Sequence, residues 1–532
     1  TTLENRDIHD ICNIFARINQ KGMRLSTFDL MNAFLYPHGI ELRKRWESLD
    51  NQKLKSVDRN MHEYVLKLIS LHVQGYCSSK YIYNLIPNEV TKKKKPSGEM
   101  QEVVLIDSQD DFIQHWEIAC RYAEKARKKI MNVGVNDFGA IKSKFIPNTT
   151  ILPVLGAILR ESKKHEKKPG FQRALSRWYW SATLSGDYSG SSDSIMAKDF
   201  RDWQRWFEKG IPVDRASRVD ENFIENELDL KTTTRGSQYN AILCMLALNN
   251  ARDFYTGRPL ATGEYVGESI NDHHIFPTQV KGIDPDKNRT FEKNRDSILN
   301  RTLILDETNK NKIGNKKPSV YLEEMLKSES INGRTDLETL MKDHFISSAA
   351  LDCLFEDDFD GFIIEREKTI KAHIEKLVQR FGILAYGSLI SNPGKEMKEI
   401  TERSIGNVTT PFEVEYARKS GGRDGAPTLV PVQDGKGGNV KAQVFVLKAD
   451  VDEQKACDIL YRREIDKVES SKVYNDEEQR EKANGVVIDP VKGLEGFSKV
   501  FSTTLKANFE EILDDALEIN EKAELLAEAA IE

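Results

Sequence analysis

The spacing of apolar residues changes near residue 380, and this change limits the folds open to the chain more than any other feature. Before it, apolar residues recur at the three- and four-residue spacing of amphipathic helices, as over residues 110–133 and 337–380. After it, short apolar runs alternate with turns rich in Gly, Pro and Asp, which predicts strands at residues 382–389, 412–418, 428–432 and 440–447. Because the pattern changes here, we predict a domain boundary near residue 380.

A length of 532 residues indicates about three domains, because one domain usually has roughly 100–200 residues. The predicted fold class is α+β and multidomain. Residues 1–260 are expected to form a mainly α-helical region, residues 261–380 a module with flanking helices, and residues 381–532 a small mixed α/β domain whose tail from residue 505 is an acidic helix. The first residues carry neither an initiator Met nor an apolar signal core, so we expect that a segment precedes them.

Composition excludes several classes of protein. No run of about eighteen apolar residues is present, so no membrane helix is predicted. The six cysteines form no CxxC pair, which argues against a zinc ribbon or a disulfide framework and favours the cytoplasm. A net charge of −6 is unusual for a nucleic-acid-binding protein, but charge averaged over several domains can conceal a local basic groove.

The first region reads as a series of helices. Two are predicted over residues 8–18 and 25–34, with hydroxyls of Ser26 and Thr27 placed to cap the second. The basic segment at residues 91–98 is expected to be a solvated loop. Aromatic residues interleaved with arginines can stack on bases, but at helical spacing they more often form a core, and we predict a core for Trp178, Tyr179, Trp180, Trp203, Trp206 and Phe207.

Residues 271–321 hold the strongest chemical signal. They contain His273 and His274 in succession and an unusual density of asparagines. Hydrolysis of a phosphodiester at neutral pH requires a base that activates water and a cation that stabilises the developing charge. Consecutive side chains of a strand point to opposite faces, so one imidazole can bind a metal while its neighbour faces the phosphate.

The asparagines suggest how such a site is closed. Asn300 and Asn309 lie on either side of the apolar strand at residues 303–305, and residues 309–315 can start a helix. Two strands and a short helix around one ion form a compact ββα-metal arrangement. The alternative is a metal-free turn at His273–His274, with the asparagines acting as caps.

His274 with Pro277 three positions later, followed by Asn300 and Asn309, resembles the HNH endonuclease motif in its variant with a final Asn. The resemblance implies that His274 is the general base, that His273 and Asn309 are metal ligands, and that Asn300 orients the base. His273 stands where Asp or Glu is commoner. Two further ligands remain open, namely Asp272, and Asn311 in place of Asn309. The implied cofactor is a divalent metal, Mg²⁺ first and Mn²⁺ or Ni²⁺ as alternatives.

Residues 7–22 and the tail at 315–322 resemble the helical region and the C-terminal HNH module of the GmrSD-type restriction nucleases. That family carries an Asp-Gly-Gln-Gln-Arg motif in a preceding nucleotide-binding half, and no such motif occurs here, which leaves nucleotide dependence open. Local positive charge comes from Arg301, Lys310, Lys312, Lys316 and Lys317. We predict that Lys316 and Lys317 contact DNA.

A second candidate site lies in the C-terminal domain. The loop Tyr386, Gly387, Ser388 and Leu389 follows an apolar strand, and backbone amides of such a turn can hold a carboxylate or carbonyl oxygen. Together with Glu464 this loop resembles a γ-glutamylcyclotransferase-like domain with a barrel-like fold. The resemblance implies that the loop binds substrate and that Glu464 is the general acid and base. Ile465 stands where these enzymes often have Gly.

The sequence therefore predicts a metal-dependent HNH endonuclease that cleaves phage or modified DNA in prokaryotic defence, fused to a cyclotransferase-like domain. Two alternatives are kept. The C-terminal domain could be the enzyme, acting on a γ-glutamyl or related amide, or the chain could be an interaction protein that binds a protein partner or a second copy of itself.

Overall fold

The protein is known from a computed structural model, which describes residues 25–94, 99–165, 171–190, 192–211, 213–233, 235–261, 270–328, 330–378, 381–420, 425–447, 451, 453–491, 494, 497, 499–513 and 517–531. It is a mixed α/β protein with several small sheets. The chain divides into two compact units. Unit 1 comprises residues 1–168 and 174–377, and unit 2 comprises residues 169–173 and 378–532.

The division between the units coincides with the change in hydrophobic period near residue 380. Residues on both sides of the division predicted at residue 260 belong to unit 1. The helical region and the module with the paired histidines therefore share one folding unit. No helix in the described part of the chain is long and apolar enough to cross a membrane.

Helices are the main elements of the described residues before residue 380. They are Thr27–Leu35, Leu42–Ser48, Gln52–Lys55, Met61–Gln74, Ser79–Ile82, Gln109–Met131, Leu152–Ser162, Phe171–Leu184, Asp193–Lys209, Glu221–Asn226, Ser237–Leu248, Phe291–Asn294, Asp306–Thr308, Pro318–Leu326, Arg334–Asp343, Ser348–Phe355 and Phe359–Val378. Ser26 caps the first of these as predicted. The Asp29 carboxylate accepts a hydrogen bond from the Ser26 backbone amide, which completes a capping box. The helix predicted at residues 8–18 lies outside the described residues.

Three helices form the centre of the N-terminal part of unit 1. The Met61–Gln74, Gln109–Met131 and Leu152–Ser162 helices pack against one another, each with one apolar face buried. Gly156 allows the closest approach, because a Cβ atom there would overlap the side chain of Leu68.

The aromatic clusters are confirmed as core. All six predicted residues, Trp178, Tyr179, Trp180, Trp203, Trp206 and Phe207, are buried. Trp178 and Tyr188 both donate a hydrogen bond of 2.8 Å to the buried carboxylate of Asp199. These rings are therefore closed to a nucleic-acid base.

The basic loop predicted at residues 91–98 is partly wrong. Residues Val90–Lys94 form strand β1, which pairs antiparallel with β2, Met100–Val104. Val90 pairs with Val104 and Thr91 with Val103, and β-branched residues favour strands. Lys92 is exposed on this hairpin, so a lysine-rich segment reaches solvent from a strand as readily as from a loop.

A second hairpin carries the paired histidines. Strand β3, Ile270–His274, pairs antiparallel with β4, Arg301–Leu305. The helix Asp306–Thr308 follows β4 directly and continues as a π-helical turn, Asn309–Ile313. Two strands and a short helix thus follow the order that the sequence predicts.

Unit 2 is built on a five-stranded sheet in the order β10-β11-β5-β9-β6. Its strands are β5 Phe381–Ala385, β6 Thr401–Thr409, β9 Lys441–Leu447, β10 Val486–Val491 and β11 Lys499–Leu505. A separate hairpin joins β7, Val414–Lys419, to β8, Pro427–Pro431. The predicted strands at residues 382–389, 412–418, 428–432 and 440–447 correspond to β5, β7, β8 and β9.

The predicted barrel-like fold is wrong for the described residues, because the sheet is open with β10 and β6 at its edges. Helices Ser388–Ser391, Lys395–Ile400, Glu453–Glu464, Asp476–Glu481 and Ile519–Ile531 complete the unit. The tail helix begins at Ile519 rather than residue 505, since Leu505 ends β11. In β5, Phe381, Ile383 and Ala385 pack into one apolar cluster and Leu384 into another, as a two-residue period requires.

Candidate functional sites

The candidate nuclease site lies on the β3–β4 hairpin of unit 1. His274 pairs with Arg301 across the hairpin, and His273 pairs with Thr302. The two imidazoles are mostly buried, with 14% of the His273 and 21% of the His274 side chain exposed. Both can therefore meet a substrate while their rings are held in place.

Asn300 fixes the backbone that follows His274. Its side-chain oxygen accepts a hydrogen bond from the Phe276 amide at 2.8 Å, and its side-chain nitrogen donates to the Phe276 carbonyl at 3.0 Å. The same nitrogen donates to the carbonyl of Arg295 at 2.7 Å. Asn300 is fully buried, so it acts on His274 by positioning the chain.

His274 has a carboxylate partner that sequence reasoning missed. Its Nε2 lies 2.9 Å from Oδ1 of Asp296, which also accepts a hydrogen bond from Arg301 at 2.9 Å. A carboxylate only accepts, so the His274 proton lies on Nε2 and the lone pair on Nδ1. Asp296 lies 22 residues from His274 in the sequence, outside any spacing rule.

His273 also meets a carboxylate that was not predicted. Its Nε2 donates to Oδ1 of Asp306 at 2.7 Å, and Asn271 donates to the same oxygen at 2.8 Å. Lys144 donates in turn to the side-chain oxygen of Asn271. Asp306 begins the helix that directly follows β4. Its position after the apolar strand can be seen in the sequence, but it belongs to no recognised motif.

Burial sets the protonation of both imidazoles. It lowers the pKa of His273, which the hydrogen bond to Asp306 only partly offsets. Burial also lowers the pKa of His274, and the charge of Arg301 lowers it further, whereas the hydrogen bond to Asp296 raises it in part. Both rings are therefore neutral at pH 7, as a general base and a metal ligand must be.

Asn309 lies three residues after Asp306, at the start of the π-helical turn, and is partly buried. Residues three apart on a helix are neighbours on one face. Asn309 therefore shares the face of Asp306, whereas Asn311 is exposed two residues further on. This placement favours Asn309 over Asn311 as a ligand.

Asp272 does not fit the predicted ligand role. It is 4% exposed and its carboxylate accepts hydrogen bonds from Arg235 at 2.8 and 2.9 Å and from the Tyr239 hydroxyl at 2.6 Å. Strand alternation explains the correction, because Asp272 and His274 point to the same face and His273 to the other. Asp272 is a structural anchor of the hairpin.

Lys316 and Lys317 are both engaged by carboxylates of their own unit. Lys316 pairs with Glu324 at 2.6 Å, and Lys317 lies 3.8 Å from Asp357. Other lysines act on Asn271 and Asp306, the residues beside His273. Lys144 reaches Asn271, and the charges of Lys310 and Lys142 act on Asp306. Of the residues predicted to supply positive charge, Arg301 and Lys310 act at the site, whereas Lys316 and Lys317 are paired elsewhere. Lys142 and Lys144 add positive charge that the sequence analysis did not single out.

A metal would have to be held by few protein groups. In the described residues no cluster of three or more His, Cys, Asp or Glu side chains could hold an ion. The His273 imidazole and the Asp306 carboxylate lie 2.7 Å apart, and Asn309, three residues after Asp306, carries the third donor of suitable chemistry. The pKa of Asp306 is lowered on balance, because hydrogen bonds from Asn271 and His273 outweigh its desolvation, so the carboxylate is charged.

The second candidate site is a cavity of about 320 Å³ in unit 2. It is lined by all five residues predicted there, Tyr386, Gly387, Ser388, Leu389 and Glu464. Gly387 has φ 56°, a left-handed conformation that other residues rarely adopt, and this lets the chain turn sharply from β5 into the Ser388–Ser391 helix. The structure thus brings together residues that lie about 75 positions apart.

Arg463 connects the two parts of this cavity. It donates from Nη1 to Glu464 at 2.9 Å and from Nη2 to the Ser388 hydroxyl at 3.2 Å and the Asn392 carbonyl at 2.9 Å. The Tyr386 hydroxyl donates to the carbonyl of Thr503 at 3.1 Å. Burial, and then the charge of Glu464, raises the pKa of Tyr386, so this hydroxyl stays protonated.

Comparison with known proteins finds a relative whose description names no activity. The chain is 30% identical over 388 residues to a protein of the archaeon Methanocaldococcus jannaschii that is described only as uncharacterized. The match covers 69% of this chain and 61% of that protein, so the chain spans less than two thirds of the relative's length. No protein-family model and no solved structure matches the chain.

Proposed function

We propose that unit 1 is a metal-dependent endonuclease of the HNH type and that DNA is its substrate. The observation that carries the proposal is the pair of hydrogen bonds between the Asn300 side chain and the backbone of Phe276, two residues after His274. These bonds support the positioning role that the resemblance implies for Asn300. The resemblance to GmrSD-type nucleases is the ground for placing the activity in defence against phage or modified DNA.

His274 would be the general base. Its Nδ1 carries the lone pair because Nε2 is committed to Asp296, and its lowered pKa keeps the ring neutral. Nδ1 would take a proton from the attacking water as the water oxygen bonds to phosphorus and the phosphorus–oxygen bond to the leaving strand breaks. The positive charge that then forms on the imidazole would be stabilised by Asp296.

The divalent metal would be held by His273, Asn309 and Asp306, the last either as a ligand or through its hydrogen bond to His273. When bound, the metal would stabilise the charge on the phosphate and on the leaving oxygen. One imidazole among oxygen donors suits Mn²⁺ or Ni²⁺ better than Mg²⁺, which prefers oxygen ligands alone. Lys144 and Lys310 would attract the phosphate backbone toward this site.

The test uses supercoiled plasmid DNA, unmodified and carrying hydroxymethylated cytosine, with Mn²⁺, Ni²⁺ or Mg²⁺. We expect nicked or linear product from one of the two DNAs, lost with His274→Ala and retained with His38→Ala, a histidine of the N-terminal turn Tyr36–His38. Intact plasmid under every condition would contradict the proposal. Cleavage that survives His274→Ala would contradict the assignment of the base.

A second activity is proposed for unit 2, because the loop and Glu464 line one cavity. This activity is the cyclisation of a γ-glutamyl or related amide. The substrate's α-amino nitrogen would bond to the γ-carbonyl carbon, the amide C–N bond would break, and Glu464 would carry the proton from the attacking amine to the leaving one. Backbone amides of Gly387 and Ser388 would hold the carbonyl oxygen, since that of Leu389 donates to the Tyr386 carbonyl at 3.3 Å.

Release of 5-oxoproline would support this second activity. We expect release by the full chain, its loss with Glu464→Gln, and its retention with Glu477→Gln, an exposed glutamate of the same unit. Glu464→Gln should leave DNA cleavage intact if the two units carry separate activities. Equal release by the wild type and Glu464→Gln would reject the assignment.

A further inference from the structure

We propose that a cavity in the helical part of unit 1 binds an unpaired nucleotide of a DNA strand. The cavity has a volume of about 550 Å³, within the roughly 300–1,000 Å³ of small-ligand sites. It lies between the end of the Met61–Gln74 helix, the β1–β2 hairpin and the Asp193–Lys209 helix. Binding there can be measured without cleavage, so it goes beyond the activity proposed for unit 1.

The side chains that line this cavity bring positive charge and no negative charge. Among the described lining residues Arg201 and Lys92 are cations, and none is Asp or Glu. His72 adds no charge at pH 7, because burial lowers its pKa to about 3. Glu102 lies opposite Lys92 in the hairpin, but its exposed side chain is outside the lining. In a chain of net charge −6 the cavity is therefore a local site for an anion.

Arg201 is held in place and still has donors to offer. Its Nη1 donates to the Gly75 carbonyl at 3.0 Å, and its guanidinium lies 4.7 Å from the centre of the Tyr76 ring. Its Nε and Nη2 donate to no described residue. A guanidinium fixed by one hydrogen bond and one ring can bind a phosphate through its remaining N–H groups.

Two tyrosines form the aromatic part of the cavity. The rings of Tyr76 and Tyr81 stack with centroids 4.6 Å apart, and the Lys80 amino group lies 4.8 Å from the centre of the Tyr81 ring. Tyr76 is nevertheless 40% exposed. Fixed and exposed aromatic rings beside cations are the groups on which proteins pack the bases of single strands.

The rest of the lining suits a base rather than a bare phosphate. Val103 and Leu105 lie two positions apart on the hairpin side of the cavity and give it apolar surface, and Gln204 adds a side-chain amide. A base presents a flat face and an edge of donors and acceptors, which such groups can contact. A base inside a duplex is stacked on both faces, so the bound nucleotide must be unpaired.

The experiment measures binding of a fluorescent oligothymidylate to the full chain by anisotropy, with EDTA present to prevent metal-dependent cleavage. We expect the single strand to bind more tightly than a duplex of the same length. Arg201→Gln should raise Kd about ten-fold or more. Arg205→Gln removes the same charge from the same helix outside the cavity and should leave Kd nearly unchanged. Equal binding of single strand and duplex, or equal effects of the two substitutions, would overturn the inference.

The contacts with the base and with the phosphate can be tested separately. Tyr76→Ala should weaken binding of the oligothymidylate about ten-fold but not that of an abasic strand of the same length, since only the first has bases to pack on the ring. Tyr36→Ala, at a tyrosine that is 66% exposed and outside the cavity, should change neither. An equal loss for both strands in Tyr76→Ala would show that the cavity binds no base.

The salt dependence of binding tests the phosphate contact. Arg201→Gln should weaken binding of both strands and reduce the slope of log Kd against log salt concentration. Lys92→Gln, at an exposed side chain of the lining, should reduce the same slope and provides this test should Arg201→Gln fail to fold. Unchanged slopes in the folded variants would reject the phosphate contact.

Competition distinguishes a nucleotide site from a site for any anion. Thymidine monophosphate should displace the oligothymidylate from the wild type at lower concentration than inorganic phosphate does. Equal displacement by the two would reduce the cavity to an anion site and overturn the inference.

Discussion

Asn300 satisfies both backbone polar groups of Phe276, accepting from the amide at 2.8 Å and donating to the carbonyl at 3.0 Å. Phe276 is buried, and it packs edge-on against Phe359 with ring centroids 5.2 Å apart. The residues that follow β3 are thus tied to the residue that precedes β4 by one amide side chain and to the core by one ring. Loss of the amide would free the strand without removing any group that touches the substrate.

Asn300→Ala is therefore expected to lower both stability and activity. The buried amide and carbonyl of Phe276 would lose their partners, which costs about 3 kcal/mol of the free energy of unfolding. Tryptophan fluorescence in urea can measure this in unit 1, which holds all six tryptophans. DNA cleavage should fall at temperatures where the variant is still folded. Asn332→Ala, at an exposed asparagine of the same unit, should change neither quantity.

A separate prediction concerns which aspartate serves the metal. Asp306→Asn should raise the Mn²⁺ concentration needed for half-maximal cleavage by about ten-fold or more, because it removes the charged partner of His273. Asp272→Asn should leave that concentration unchanged and lower the unfolding free energy instead, since it weakens the contacts with Arg235 and Tyr239. The reverse pattern would restore Asp272 as the ligand.

These two aspartates show how far the sequence could be read. Strand alternation places His273 and His274 on opposite faces of β3 and Asp272 on the face of His274. Only the contacts of Asp272 with Arg235 and Tyr239 show that this face is buried at Asp272. Asp306 could have been chosen from its place directly after β4. Its contact with His273 depends on the register of β3 against β4, which the spacing of residues does not give.

The same limit applies to Asp296 and to the lysines. Asp296 reaches His274 because the chain between β3 and β4 folds back, and no local pattern encodes that return. Lys316 and Lys317 have the charge expected of DNA-binding residues. They are paired with Glu324 and Asp357, which the packing of later helices brings beside them. In unit 2 the loop and Glu464 each carry a local pattern, whereas no pattern in the sequence indicates that Arg463 connects them.

Asp296 itself is predicted to position the base. Asp296→Ala should lower kcat for DNA cleavage about ten-fold with little change in KM, because the imidazole of His274 loses the partner that fixes its orientation. Glu292→Ala is the matched control, since it also removes a carboxylate that pairs with Arg295. A higher KM with unchanged kcat would assign Asp296 to DNA binding instead.

The last prediction concerns the acid sensitivity of unit 1. His344 is fully buried, where its Nδ1 meets the Thr302 hydroxyl at 2.6 Å and its Nε2 the Arg252 carbonyl at 2.7 Å. Burial lowers its pKa to about 3, well below the value of about 6.5 for an unfolded chain. The unfolded state therefore binds the proton first, and stability falls as pH drops below about 6.5.

Between pH 7 and pH 5 this one residue should reduce the free energy of unfolding by about 2 kcal/mol. His344→Gln keeps a donor for Arg252 and an acceptor for Thr302 but cannot titrate, so its unfolding free energy should fall less over this range than that of the wild type. The difference is measured by urea unfolding at the two pH values, followed by tryptophan fluorescence. His38→Gln should retain the full loss. An identical loss in His344→Gln would mean that other groups, such as buried His72, account for the acid sensitivity.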